Sequence, residues 1–100
     1  MKGLKELRRR IDEVDGEIVF FLGERAKICK EIGIVKKDQE LPIKDEVREA
    51  DVLKRVRKQA LNMDLDPEKV VAVYREIVNM CSDVQINEKY FVLLLTESAL

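Results

Sequence analysis

From Leu4 onward, positions 4, 7, 11, 14, 18, 21, 25, 28, 32 and 35 recur in strict alternating steps of three and four. They hold Leu, Leu, Ile, Val, Ile, Phe, Arg, Ile, Ile and Val, so Arg25 alone is not apolar. A 3-4 spacing sustained this far predicts one helix from about Leu4 to Lys36, with an apolar seam that packs at a shallow angle against other helices. No proline interrupts it before Pro42. Gly16, Gly23 and Gly33 each cost up to ~1 kcal/mol inside a helix, but a seam of this length outweighs them, and small residues allow close helix approach. At ~1.5 Å per residue the helix is roughly 50 Å long, whereas a compact chain of 100 residues has a radius of gyration of only ~13 Å. Such a rod overhangs any fold its own chain can make. The expectation is therefore an intertwined homodimer, most simply twofold.

The stretch KDQELPIKD is polar, contains Pro42 and breaks the period, which marks a connecting loop. Asp45 reads as the N-cap of a second helix, with Glu46 and Glu49 favouring its dipole. That helix runs to about Asn62, with Val47, Ala50, Leu53, Val56 and Ala60 on one face. Asp66-Pro67-Glu68 is a strong helix start: a cap, a proline at the first helical position and an acid in the first turn. The third helix turns Val70, Tyr74, Ile77, Cys81 and Val84 inward and reaches about Gln85, beyond which YFVLLL reads as continued helix rather than strand. The fold class is all-α: a single domain over residues 1–100, with a long first helix and two medium ones.

The charge and residue inventory narrows the chemistry. Nineteen Lys+Arg against twenty Asp+Glu leave no polyelectrolyte character to attract nucleic acid, so an anion must be held by a local pocket. Histidine is absent, which removes Ser-His-Asp and Cys-His arrangements, His-containing zinc sites and the usual general base near neutral pH. Cys29 and Cys81 are too few for a four-cysteine metal site and too far apart for a CxxC motif. A disulfide between them stays open, with reduced thiols the default expectation. The charged N-terminus lacks a signal-peptide core, and no apolar run reaches membrane-spanning length. A cytoplasmic protein without metal, cofactor, membrane or nucleic-acid partner is expected.

Arg25 is the residue most out of place, because a buried guanidinium without an anion costs several kcal/mol. Its partner is either an internal carboxylate, such as Glu24, Asp15 or one on the third helix, or a bound anion. Arg8 and Lys36 lie one position past the seam, on the flank that also carries Asp15, Leu22 and Cys29. Taken singly these are ordinary exposed cations; together with Arg25 they put three cations at or beside one seam.

These residues carry a family resemblance. LRRRIDEVDGEIVFFLGERAKICKEIGIVK, PIKDEVRE and, more faintly, LDPEKVVAVYREIVNMCSDVQ resemble the all-helical class of chorismate mutase over about residues 4–85. In that family two chains interlock through a long first helix. The resemblance implies conversion of chorismate to prephenate, an intramolecular [3,3] rearrangement in phenylalanine and tyrosine synthesis that needs no nucleophile, base, metal or redox cofactor. It implies that Arg25 and Arg8 grip the two carboxylates, Arg8 coming from the partner chain, while Lys36 and Gln85 address the ether oxygen. Glu49 would accept from the ring hydroxyl, with the Asp45 backbone nearby, and Arg48 would line the pocket. Asp45 as a plain cap and Arg48 as a surface residue are the alternatives. Cys81 departs from the pattern, since the family often has a small hydroxyl residue there and a thiol is a weaker donor. An isochorismate pyruvate-lyase on the same fold and a non-catalytic helical dimerisation module are the rival readings.

Overall fold

The computed structural model describes the backbone of residues 3–98 and the side chains of residues 3–86. Three helices follow one another: α1 (Leu4–Asp38), α2 (Glu46–Asn62) and α3 (Pro67–Ser98). The start of α1 has no side-chain cap, but Glu6 in its first turn pairs with Arg9 at 2.6 Å. That hydrogen bond holds the Glu6 carboxyl below its ordinary range. Arg9 also pairs with Glu13.

Helix boundaries follow from local chemistry. Asp45 caps α2, its Oδ1 accepting from the Arg48 backbone N–H at 3.0 Å. Asp66 does the same for α3, accepting from Glu68 and Lys69 at 3.0 and 3.3 Å. The ends of α1 and α2 share one device: Glu40 and Asp64 take φ of 56°, and the next residue folds back, Leu41 N–H onto the Lys36 carbonyl and Leu65 N–H onto that of Ala60. The backbone of α3 continues through the YFVLLL stretch as expected, while the face those side chains present lies outside the described residues.

α3 is the centre of the chain, packing against both other helices, while α1 and α2 do not pack on each other. Cys29 meets Cys81, and the next turn of each helix brings Gly33 against Gln85, so α1 and α3 run parallel in one register. The short connection after α2 returns α3 antiparallel to it, and a bidentate pair from Arg57 to Glu68, at 3.0 and 3.2 Å, ties the two ends together.

The strip of α1 that meets α3 is not the predicted seam. Leu22, Ala26, Cys29, Gly33 and Lys36 turn toward its own chain, one position over, while all nine apolar seam residues remain exposed. Exposure extends along the whole seam, not merely one overhanging end, and the neighbouring Val19 and Phe20 share it. On α2, Val56 and Ala60 are buried as expected, but Val47 is 83% exposed and Ala50 is also on the surface. The first inward turn of α2 is instead formed by Glu49, Val52 and Leu53.

The molecule measures 65 × 30 × 15 Å. Its thinnest dimension is little more than a helix diameter of ~10–12 Å, which makes it one layer with no second layer to bury against. Its surface, 8394 Å², exceeds by about 2,600 Å² what a compact monomer of its mass exposes.

Candidate active site

A cavity of about 380 Å³ opens between the C-terminal half of α1, the loop into α2, the start of α2 and the middle of α3. Seven of the eight site residues expected from sequence line it: Arg25 and Lys36 from α1, Asp45, Arg48 and Glu49 from the α2 start, Cys81 and Gln85 from α3. Ile28, Ile32, Ile43, Val52 and Val78 supply apolar wall between them. Arg8 is not among the lining residues. It is exposed, on the same helix as Arg25 and seventeen residues before it, a rise of roughly 25 Å.

Each polar group is held by its own local structure. Lys36, in the last turn of α1, donates from Nζ to the Ile43 carbonyl at 2.5 Å, which ties the loop to the end of α1 beside the cavity. Glu49 keeps its carboxylate half-buried, with the Lys44 ammonium 4.0 Å away. Arg48 donates from Nη1 to Asp51 at 3.2 Å, so its guanidinium is already engaged along α2. Asp45 is both the cap of α2 and a cavity residue.

Arg25 has none of the internal carboxylate partners weighed for it. Among the described residues no Asp or Glu pairs with it; Glu24 is taken by Lys27 at 3.2 Å. Its one side-chain contact is a weak donation to Cys29 Sγ at 3.8 Å. The guanidinium is half-buried beside the cavity, so its positive charge is available to an anion in that space.

Gln85 is 5% exposed and is the one buried polar side chain among the described residues. Nε2 donates to Cys81 Sγ at 3.2 Å, while Oε1 is buried with no partner. Sulfur is a weak acceptor and an amide carries two N–H groups, so Gln85 retains hydrogen-bonding capacity next to the cavity. Leaving such capacity unpaired in a buried site costs about 1–3 kcal/mol.

The two cysteines are joined. Cys29 and Cys81 form a disulfide with Cα atoms 5.4 Å apart, closing a separation of 52 residues. The default expectation of two reduced thiols is therefore corrected: the register of α1 on α3 brings both sulfurs to one point, which linear spacing does not reveal. Sequence reasoning also missed Ser82, whose hydroxyl side chain lines the cavity next to Cys81. Its spacing of four from Val78 and three from Gln85 was the available signal.

An all-helical chain with a cavity lined by Arg25, Lys36 and Arg48 and an exposed apolar seam defines a helical class of protein, and its sequence has relatives of known family. Residues 7–86 match the family described as chorismate mutase type II, and the chain belongs to that family. A bifunctional chorismate mutase/prephenate dehydratase from Aquifex aeolicus is 39% identical over 88 residues, 85% of this chain but 24% of that protein. A chorismate mutase from Methanocaldococcus jannaschii is 28% identical over 75 residues, 75% of this chain and 76% of that one. Among solved structures, a conserved hypothetical protein from Pyrococcus furiosus superposes with a TM-score of 0.68 at 34% identity, covering 82% of this chain and 93% of the other.

Proposed function

We propose that the chain is a chorismate mutase acting as a homodimer, converting chorismate to prephenate within each of two shared cavities. The observation that carries this reading is the convergence of Arg25, Lys36, Glu49 and Gln85 on one cavity, with Arg25 free of any carboxylate among the described residues. A dicarboxylate supplies the missing anion. The rearrangement breaks a C–O bond and forms a C–C bond in one molecule, so the protein has to hold a compact conformer and stabilise the negative charge that grows on the ether oxygen.

Arg25 binds one carboxylate. Lys36 gives its ammonium to the ether oxygen, exchanging the Ile43 carbonyl for it in part, and the Gln85 amide donates an N–H to the same oxygen. Glu49 accepts from the ring hydroxyl, Arg48 closes the rim, and Ser82 supplies the small hydroxyl that Cys81, tied in its disulfide, cannot. The exposed seam of α1 is the dimer interface. Pairing two seams antiparallel about an axis near residues 16 and 17 sets the partner's Arg8 beside Arg25, where it binds the second carboxylate. The surplus surface is of the order buried by one protomer of an obligate dimer.

Purified protein given chorismate should produce prephenate, and given isochorismate should produce no salicylate. Salicylate formation would make the protein a pyruvate-lyase, and failure on both substrates would leave a dimerisation module.

A further inference from the structure

The disulfide sits between the two groups on which the proposed chemistry most depends. Cys29 is one turn after Arg25 and receives its weak N–H contact; Cys81 is one turn before Gln85 and receives the Nε2 donation. The cystine and the Gly33–Gln85 contact are successive rungs of one α1/α3 ladder, each helix advancing four residues between them. At the second rung the backbones are already in close approach: a Cβ on Gly33 would stand 3.1 Å from the Gln85 Cα and 3.3 Å from its Cβ and Cγ. Gln85 is thus placed by the α1/α3 register, and the cystine is the covalent bond that fixes that register, one helical turn away. Arg25 depends on it less, because its position follows from α1 alone.

We propose that the Cys29–Cys81 cystine is a redox-sensitive positioning element of the active site, holding Gln85 in its productive place when oxidised and releasing it when reduced. This rests on the reading of the cavity as a chorismate mutase site. Both sulfurs border the cavity and Cys81 is partly exposed, so a small dithiol reaches them. In the exchange the dithiol loses two electrons and forms its own S–S bond; the cystine S–S bond breaks, and the two protons of the dithiol pass to the Cys29 and Cys81 sulfurs. Two free thiols no longer tie α1 to α3, and Gln85 loses the fixed sulfur on which its amide rests. Because Gln85 addresses the bond that breaks rather than the carboxylates, the effect belongs in kcat more than in KM.

The test compares the air-oxidised protein, the same protein reduced with dithiothreitol, and Cys29→Ser, which removes the bond while leaving Cys81 in place. Alkylation and mass measurement should count no free thiols before reduction and two after. Reduction should lower kcat/KM by about threefold or more, mostly through kcat, and Cys29→Ser should match the reduced protein and ignore the dithiol. In a Gln85→Ala background reduction should have little further effect, since the two changes act through one group. The side-chain amide signals of Gln85 in a nitrogen-15 spectrum, assigned by their loss in Gln85→Ala, should shift on reduction. Two free thiols in the oxidised preparation, a lower melting temperature with unchanged kcat, or unmoved Gln85 amide signals would each overturn the proposal. If no form converts chorismate while the Gln85 amide signals still shift, the reading of the function has failed and the positioning of Gln85 stands.

Discussion

Lys36 and Gln85 illustrate how side chains in one cavity divide a task. Lys36 brings a full charge, and its truncation to Ala should cost about 3–4 kcal/mol of transition-state stabilisation, as for a lost oxyanion donor. Steady-state kinetics should show this chiefly as a fall in kcat. Gln85 brings a donor that is neutral at every ordinary pH. Gln85→Glu donates only when protonated, and a carboxyl so buried has its pKa raised. The variant's kcat/KM should therefore rise as pH falls, and a variant profile identical to wild type would make Gln85 a packing residue. Gly33 and Gly23 form a contrasting pair. A methyl at Gly33 meets the Gln85 backbone, an overpacking cost of about 1–3 kcal/mol that exceeds the helix gain. At Gly23 it meets nothing within 4 Å, and should stabilise by up to ~1 kcal/mol. Thermal melting of Gly33→Ala and Gly23→Ala should shift in opposite directions.

At the scale of the helices, boundary signals were legible because they are local. Asp45 and Asp66 cap the helices they precede, and Pro67 stands at the first position of α3. The helix ends were less visible, since Glu40 adopts a left-handed backbone that glutamate does not advertise and Asp64 one that aspartate only tolerates. A non-glycine residue there carries a penalty of about 1–2 kcal/mol. Glu40→Gly should therefore raise the melting temperature despite its larger unfolded-state entropy, and calorimetry would detect it. Which face of a helix meets which neighbour was only half legible. Val56 and Ala60 are buried on the apolar stripe of α2 while Val47 and Ala50 on the same stripe are exposed, because periodicity identifies an apolar stripe without saying where the neighbouring helix ends.

For the whole molecule, a layer 15 Å thick with an uncovered apolar seam is what supports the proposed dimer. The protein should sediment as a dimer at micromolar concentration and unfold with a midpoint that rises with concentration; a stable folded monomer would refute the shared site. Mixing and refolding Arg8→Ala with Arg25→Ala chains should recover about a quarter of wild-type activity, since half of the dimers are hybrids with one intact site. No recovery would place Arg8 outside the cavity. The sequence alone determined the helical periodicity and the caps, since these follow from side chains a few residues apart. Only the tertiary structure decided that α3 takes the strip beside the seam, that Cys29 meets Cys81, and that Gln85 lies against Gly33 with its carbonyl unpaired. Those facts depend on the register between helices distant in the chain, which is set by packing of their surfaces and leaves no periodic trace in either one.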